Sequence, residues 1–304
     1  MTETTIKIGD YVTHVTLGDW GLGKVVELLE SGAVRVYFEF AGEKKMQRHF
    51  LAPAKAPEHH PVLRKIDLDR AMDGTVSFPN LEAAFLKAYP GGFTDPRYLA
   101  EERSYKLEAS KSLQADLGRD TLEALLRAGD AEAVCLLAKK LLAKTNLAFP
   151  NEKMALTDGF KKGEEAKKHF AAALDILLYG EGDMGPRFTA FVDVLDELDA
   201  CKWTTATYFL FLLDPTRYIF IKPTYIQKAA QAYGYDIGYA TRPSWAGYQR
   251  MLGLFDYVAS QLAKRDVLIP HDLLDVQGFI WCSLHDGKPT ARAPKKTAKT
   301  KAKT

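Results

Sequence analysis

Basic and aromatic side chains occur together in the second half of the chain, and this combination suits contact with nucleic acid. Phosphate groups attract clustered lysine and arginine, and unpaired bases stack on planar rings. The residues that carry this prediction are Lys161, Lys162, Lys168, Lys202, Trp203, Arg217, Lys222 and Lys228. Because Glu164 and Glu165 lie within the first basic run, a solvated helix face is the alternative interpretation of that run.

Two residues are candidates for acid–base chemistry, Lys222 and Asp275. Lys222 begins the string KPT at 222–224, and Asp275 lies in PHDLLDVQGFIW at 270–281. A carboxylate beside a lysine in one cleft would supply an acid and a base to a bound substrate. The alternative is that Asp272 caps a helix while Asp275 belongs to a buried hydrogen-bond network. No known catalytic motif contains either residue, so the catalytic residues stay unassigned.

No metal site and no cofactor site is predicted. Cys135, Cys201 and Cys282 are far apart and show no CxxC spacing, which argues against a zinc site and against a disulfide framework. His59 and His60 are adjacent, but no cysteine or further histidine lies near them. The sequence also lacks a Walker loop, an HExxH string and a Ser/His/Asp order typical of hydrolases.

The C-terminal segment carries the positive charge of the chain. Residues 291–304 contain one arginine, five lysines and no acid, so removing these six charges changes the net charge from +2 to −4. We expect this segment to be disordered and to add salt-sensitive, sequence-blind affinity for DNA. Its candidate contacts are Lys295, Lys296 and Lys299.

The most apolar and aromatic run of the chain is 201–223. It is too interrupted by charges for a membrane span, so burial in a protein core is the expected outcome. We predict a central core helix over 204–213. The connector that follows it carries Arg217 and Lys222, two charges without a visible partner in the sequence.

The elements that position these residues show two different hydrophobic patterns. Short alternating runs and glycine turns over 5–52 are typical of strands, whereas helical periodicity dominates 80–284. Asn80, Asp95-Pro96, Asp120 and Asp130 stand where helices are expected to begin. We therefore predict an α+β multidomain protein with a small SH3/Tudor-like β-barrel over 1–52, a linker over 53–79, an all-helical domain over 80–286 and a disordered Lys-rich tail over 287–304.

The N-terminal segment resembles a known module. Its pattern is GDYV at 9–12, GDWGLGKV at 18–25 and VRVYF at 34–38. This pattern is similar to the Tudor-like module at the C-terminus of UvrD-type helicases and in the polymerase-binding part of CarD-type regulators. The resemblance implies a non-catalytic module that docks on RNA polymerase or on nucleic-acid machinery. It makes Trp20, Tyr37 and Phe40 candidates for a partner-binding surface, whereas a tight turn with a half-buried ring is the alternative.

A second resemblance concerns 204–234, where a helix, a connector and another helix follow one another. This order faintly resembles the core of helix-hairpin-helix DNA glycosylases. The hairpin glycines of that family are absent before Trp203, and Lys222-Pro223 stands where the family has its acidic residue. No catalytic carboxylate is carried over from this resemblance.

Three functions fit the sequence. The first is a bacterial, DNA-associated protein of the transcription, repair or phage-defence machinery that is not itself an enzyme. Its barrel would recruit RNA polymerase or a repair protein, while the helical domain and the tail contact DNA. The second is a nucleic-acid-modifying enzyme, such as a DNA glycosylase, that uses a cleft around Trp203, Lys222 and Asp275. The third is a protein-interaction scaffold without nucleic acid.

The same sequence predicts where the protein resides. Its start has no signal-peptide hydrophobic region, and no run is apolar enough to cross a membrane. We therefore expect a cytoplasmic, nucleoid-associated protein without a membrane partner. Nothing in the sequence favours one oligomeric state over another.

Overall fold

The computed structural model describes residues 6–56, 63, 78–264 and 268–284. The N-terminal part is a five-stranded antiparallel sheet in the order β4-β3-β2-β1-β5. Its strands are β1 (Tyr11–His14), β2 (Leu22–Leu28), β3 (Val34–Phe38), β4 (Gly42–Met46) and β5 (Leu51–Pro53). Within the described residues no ladder joins the outer strands β4 and β5, so the sheet is open rather than a closed barrel. The α+β class is confirmed, and the barrel is not.

Strand β3 has apolar residues on both of its faces. Val34, Val36 and Phe38 point to one face, where they form the small core of the sheet. Tyr37 points to the other face and is buried in the core of the helical part. The sheet is therefore covered by helices on its second face, and the two parts of the chain pack together.

The helical part consists of α1 (Phe78–Ala88), α2 (Pro96–Tyr98), α3 (Ser104–Leu117), α4 (Arg119–Arg127), α5 (Ala131–Lys144), α6 (Pro150–Gly159), α7 (Glu164–Tyr179), α8 (Met184–Glu197), α9 (Trp203–Leu213), α10 (Pro223–Ala232), α11 (Trp245–Ala263) and α12 (Leu273–Ser283). Helix α2 continues through a π-helical turn, Leu99–Arg103, into α3. Asp95 caps α2 by accepting from the amide of Arg97, and Asp130 caps α5 by accepting from the amide of Ala133. These two predicted helix starts are confirmed, whereas Asn80 and Asp120 lie inside α1 and α4 and do not cap them.

Helix α9 is the centre of the helical core. Its residues from Trp203 to Leu212 are all buried, as expected for a helix that is apolar on every side. Two of its hydroxyl groups donate to backbone carbonyls, Thr207 to that of Trp203 within the helix and Tyr208 to that of Leu141 in α5. The prediction of a central core helix is confirmed.

The structure leaves parts of the predicted organisation outside its described residues. Most of the proposed linker, at 57–62 and 64–77, lies there, and so does the whole basic tail from 287 onwards. The predicted contacts Lys295, Lys296 and Lys299 therefore lie outside the described residues. Among the residues that are described, no helix combines the length and the apolar character that crossing a membrane requires.

Candidate functional site

A cavity of about 320 Å³ lies in the helical part. This volume is at the lower end of the range for small-molecule sites, roughly 300–1,000 Å³. Its wall is mostly apolar and contains six aromatic side chains, Tyr105, Phe149, Phe220, Tyr225, Phe255 and Trp281. The polar side chains that reach it are Glu102, Lys106, Asn146, Lys222 and Gln277. Aromatic walls with a few polar groups are typical of a site for a planar ligand.

Two of the rings are already stacked. Tyr225 in the first turn of α10 and Trp281 near the end of α12 have ring centroids 3.5 Å apart and planes 29° apart. Both side chains are partly exposed, so they form a flat surface at the cavity and not a sealed core. A planar ring that enters the cavity meets a platform on which it can stack.

Lys222 lies at the cavity because the residue before a proline is extended and ends the connector there. Its backbone has φ −109° and ψ 111°, and Pro223 begins α10. The Lys222 ammonium donates to the carbonyl of Leu147 at 3.3 Å and lies 3.5 Å from the ring centroid of Phe149. Burial lowers the pKa of Lys222. Lys222, which the sequence predicts as a functional residue, therefore lies beside a cavity and over an aromatic ring.

Glu102 and Lys106 form a buried ion pair at the cavity. The π-helical turn Leu99–Arg103 inserts an extra residue before α3, and such turns are frequent at functional sites. Glu102 is 3% exposed and Lys106 is 2% exposed, and Lys106 Nζ lies 3.4 Å from Glu102 Oε2. The other oxygen, Glu102 Oε1, is buried without a hydrogen-bond partner.

The charge on Lys106 is maintained in spite of its burial. Burial pulls the pKa of Lys106 down, while the Glu102 carboxylate raises it through its charge and its hydrogen bond, and the net direction of the pKa is upwards. Burial also raises the pKa of Tyr105, which keeps its phenol neutral at ordinary pH. The cavity therefore offers a cationic donor, an anionic acceptor and a neutral hydroxyl side by side.

Asp275, the other catalytic candidate, does not line this cavity. Its side chain is fully buried and lies in a hydrogen-bond network, where it accepts from Arg103 at 2.8 Å and from the Tyr98 hydroxyl at 3.0 Å. His271 contacts the second oxygen through its amide and through Nδ1, at 3.0 and 2.7 Å. Lys222 and Asp275 are thus not brought together in one cavity, because the first turn of α12 directs Asp275 towards Arg103.

Trp203, predicted as a stacking ring, belongs to the core. It is 1% exposed, and its Nε1 donates to the carbonyl of Ala240 at 2.8 Å. The ring contacts Gly247 of α11, where an added Cβ would lie 3.2 Å from it. This placement corrects the prediction that Trp203 faces nucleic acid, because a ring packed on every side has no face free for a base. Lys202 beside it is partly exposed at the start of α9.

The lysines of the first basic run are exposed, and each has an acidic partner. Lys161 pairs with Asp158 at 2.7 Å, Lys162 with Asp199 at 2.5 Å and Lys168 with Glu165 at 2.8 Å. These pairs favour the alternative interpretation, a solvated helix face. Arg217 and Lys228 are exposed as well, and the Arg217 guanidinium lies 5.8 Å from the ring centroid of Tyr218.

Replacing Lys161 and Lys168 together with alanine tests the predicted DNA contact of these lysines, and we expect no change in binding of DNA or in its salt dependence. The carboxylates beside these lysines cancel their charge, so few counterions are released when DNA approaches. The measurement is the slope of log K against log salt for a DNA duplex. If both lysines contacted phosphates, the double variant would lose about 1.8 units of slope, roughly 0.9 for each contact.

The three rings predicted for partner binding differ in their placement. Tyr37 is 2% exposed and belongs to the helical core. Phe40 has its ring centroid 6.1 Å from that of Phe78 in α1, and the Lys264 ammonium lies 5.7 Å from it. Tyr37 and Phe40 therefore contact the helical part of the same chain, which corrects their assignment to a surface for another protein. Trp20 does not take part in the contact with the helical part. Its ring is half-buried, and its centroid lies 5.2 Å from that of Phe38.

The residues that sequence reasoning missed are Glu102, Tyr105, Lys106, Tyr225 and Trp281. One signal was present, because Glu102 interrupts an otherwise apolar or aromatic helical stripe formed by Tyr98, Tyr105 and Ala109. A charged residue in such a stripe is buried by its neighbours and needs a partner. For Tyr225 and Trp281 no signal was available, since their stacking depends on how α10 and α12 pack.

Comparisons with known proteins found no family model, no curated protein and no solved structure that matches this chain. Arguments about function therefore depend on the geometry of the cavity. Among the described residues, no group of three or more His, Cys, Asp or Glu side chains is arranged to hold a metal ion.

Proposed function

We propose that this protein associates with nucleic acid and that its helical part takes an unpaired base into the aromatic cavity. The observation that carries the proposal is the cavity itself, in which the Tyr225–Trp281 platform lies beside the ammonium of Lys222. Stacking of a base on an aromatic ring contributes about 1–3 kcal/mol, and a lysine at the same site attracts the phosphate that the base brings with it.

Single-stranded nucleic acid is the preferred partner in this proposal. A base inside a duplex must first be unstacked and unpaired, which costs a few kcal/mol, whereas a base in a single strand pays little of that cost. The basic tail at 291–304 adds affinity that depends on salt and not on sequence. The cavity and the tail thus contribute in different ways, the first through stacking and the second through charge.

The N-terminal sheet completes the proposal as a Tudor-like module that recruits a partner, RNA polymerase or a repair protein. Five short antiparallel strands and the partly exposed ring of Trp20 support this role. Because Tyr37 and Phe40 contact the helical part, the recruiting surface lies on the side of the sheet that carries Trp20. This arrangement corresponds to a nucleoid-associated protein of the transcription, repair or defence machinery.

An enzyme that removes a base is the second candidate function, and one observation favours it. Glu102 is a carboxylate that lines the cavity, whereas Asp275 does not line it. Incubation of the protein with DNA that carries modified bases, followed by alkaline cleavage, tests this candidate. Strand scission that is lost in a Glu102→Gln protein with an unchanged circular dichroism spectrum supports an enzyme, and intact strands on every substrate leave base binding as the function.

Replacing Tyr225 with alanine is expected to weaken binding of a single-stranded oligonucleotide about 10- to 100-fold, because one half of the stacking platform is lost. Fluorescence anisotropy of a labelled oligonucleotide, measured across a range of salt concentrations, reads out the affinity. The slope against salt should not change, since a tyrosine carries no charge at neutral pH. Tyr239→Ala is the matched control, because Tyr239 is a partly buried tyrosine that does not line the cavity.

One outcome would contradict the proposal. Tyr225→Ala with wild-type affinity would contradict a base in the cavity.

The full chain with Lys295, Lys296 and Lys299 replaced by glutamine should bind more weakly and with a smaller salt slope. If this tail variant lost all binding, the folded part would hold no nucleic-acid site, and a scaffold role of the folded part would still be compatible with the result.

A further inference from the structure

We propose that the cavity binds the end of a nucleic-acid strand, with the terminal base on the Tyr225–Trp281 platform and a terminal phosphate on the ammonium of Lys222. This inference rests on the proposed function and names the ligand of the same site. The platform and Lys222 line one cavity of about 320 Å³. A site of this size, at the lower end of the range for small-molecule sites, suits one nucleotide rather than a longer segment of a strand.

The charges that line the cavity do not cancel. They belong to two lysines, Lys106 and Lys222, and one carboxylate, Glu102, which is paired with Lys106. Within the described part of the chain, no carboxylate forms an ion pair with Lys222. Burial lowers the pKa of Lys222, and the charge of Glu152, whose side chain accepts from the amide of Phe149, offsets this effect only in part. A half-buried cation that lacks a paired carboxylate favours an anionic ligand.

The contacts of the Lys222 ammonium leave it able to hold a phosphate. It donates to the carbonyl of Leu147 at 3.3 Å and lies 3.5 Å from the ring centroid of Phe149, a side chain of the cavity wall that is 52% exposed. An ammonium has three N–H groups, so these two contacts still leave a donor for a phosphate oxygen. The ring of Phe149 fixes the ammonium in place without neutralising it, because an aromatic ring carries no net charge.

The start of α10 contributes positive potential at the same place. Lys222 is the residue before the helix, and no side chain caps the first turn. The Lys222 carbonyl accepts from the amides of Tyr225 and Ile226, so the chain is already helical at the platform. The N-terminus of a helix carries about half a positive elementary charge. This potential acts in the same direction as the charge of Lys222 and is weaker than it.

A terminal phosphate suits Lys222 better than an internal one, because the ammonium is half-buried and the phosphate must enter the cavity to reach it. An internal phosphate continues into the strand on both sides, so two segments of the strand would have to leave the cavity. A terminal phosphate is joined to the strand on one side only. It also carries about −1.5 to −2 charges at pH 7, whereas an internal phosphate carries about one. Access and charge therefore both favour the end of a strand.

Three single strands of one sequence test the recognition of an end. The probes are oligo-thymidines with a 5′-phosphate, with a 3′-phosphate or with hydroxyl groups at both ends, and the fluorescent label is on an internal base. We expect the phosphate at one of the two ends to tighten binding about 10- to 100-fold, as hydrogen bonds to charged groups imply. The internal phosphates are the same in all three strands, so their contacts with the basic tail contribute equally. Thymidine monophosphate as a competitor separates a strand end from a free nucleotide.

The variants separate recognition of the phosphate from stacking of the base. Lys222→Met removes the ammonium and keeps an unbranched apolar side chain, so it should bind all three strands with the affinity that the wild type has for the hydroxyl strand. Lys222→Arg keeps the charge and should retain part of the preference. Lys153→Met is the matched control, because Lys153 is a partly buried lysine that donates to the carbonyl of Thr145 at 2.7 Å and does not line the cavity. It should keep the full preference for the phosphate.

The possible failures are distinct. Equal affinity of the wild type for all three strands, together with weaker binding by Tyr225→Ala, would overturn recognition of an end and leave base binding intact. Equal affinity for all three strands in the wild type and in Tyr225→Ala would overturn both. A phosphate preference that persists in Lys222→Met would show that other residues hold the phosphate. If thymidine monophosphate displaced the strand at a concentration equal to the Kd of the strand, the ligand would be a free nucleotide, and the strand end would be wrong.

Discussion

Replacing Arg103 with methionine is expected to lower the free energy of unfolding by about 3–5 kcal/mol. Arg103 donates to both oxygens of Asp272 and to Asp275, with N–O distances of 2.5 to 2.8 Å. Asp275 is fully buried, so the variant leaves a buried carboxylate without its cation. The pair also joins the start of α3 to the start of α12, two elements that are 169 residues apart in the chain. Urea unfolding at pH 7 measures the effect.

Two further variants show whether charge is the cause. Arg103→Lys keeps the charge but loses the bidentate contact with Asp272. It should therefore lower the free energy of unfolding by less than Arg103→Met does. Arg103→Met/Asp275→Asn should be more stable than the single variant, because the fully buried position 275 then carries no unpaired charge. A loss below about 1 kcal/mol in Arg103→Met would contradict the prediction, since exposed ion pairs contribute that little.

The acid limb of the stability curve reports on the same network. Burial alone would raise the pKa of Asp272, but hydrogen bonds and charge from Arg103, together with the amides of Asp275 and Leu274, hold this pKa below its usual range. The resulting stability is present above the unfolded pKa of about 3.9 and is lost as the pH falls from there towards the folded value. In Arg103→Met this loss should be smaller. Asp272→Asn removes the titration and keeps a side chain that caps helices well.

Features that depend on neighbouring residues in the chain were predictable. The contiguous apolar run made α9 a core helix, and Asp95, Asp130 and Asp272 were expected to cap helices because their side chains reach amides two or three residues ahead. Each of these depends on a short segment and on its own hydrogen bonds. The strands of the sheet were predictable for the same reason, since alternation is a local property.

Features that depend on packing between distant elements were not predictable. Periodicity placed Tyr37 and Phe38 on opposite faces of β3, but it did not show that helices cover the Tyr37 face. Whether the strands close into a barrel depends on pairing between the outer strands β4 and β5, and this pairing has no local signal. The contact of Arg103 with Asp272 likewise joins two loci that carry no shared pattern in the sequence.

In the candidate site, too, some residues were predictable from local sequence, whereas the role of others depends on packing between distant elements. Lys222 was predicted because a lysine before a proline at the end of an apolar run is conspicuous, and the structure places it at the cavity. Asp275 was equally conspicuous, yet its two oxygens are occupied by Tyr98, Arg103 and His271. Glu102 was overlooked although it falls on the helical stripe of Tyr98, Tyr105 and Ala109. Its place at a cavity depends on how distant elements pack, and periodicity within one segment does not show this packing.

Trp203→Ala is expected to lower the free energy of unfolding by about 3–5 kcal/mol, the usual cost of removing a large aromatic side chain from a core. The ring lies at the first position of the central helix α9 and contacts α11, so its loss opens a cavity between two core helices. A ring that stacks on nucleic acid at the surface would behave differently. Its removal would change stability by no more than about 0.5 kcal/mol and would weaken binding instead. Urea unfolding and oligonucleotide affinity of the same variant therefore separate the two roles.

Trp203→Phe is the matched control for this experiment. Phenylalanine keeps most of the apolar contact with α11 and loses the hydrogen bond from Nε1 to the carbonyl of Ala240. Ala240 is exposed, so water replaces the lost donor and the cost should be about 1–2 kcal/mol. If the proposed function is right, both variants should retain the affinity for single-stranded oligonucleotides under conditions in which they are folded, because the proposed base-binding platform consists of Tyr225 and Trp281. If folded Trp203→Phe lost affinity, Trp203 would belong to the binding site, and the assignment of the platform to Tyr225 and Trp281 would be wrong.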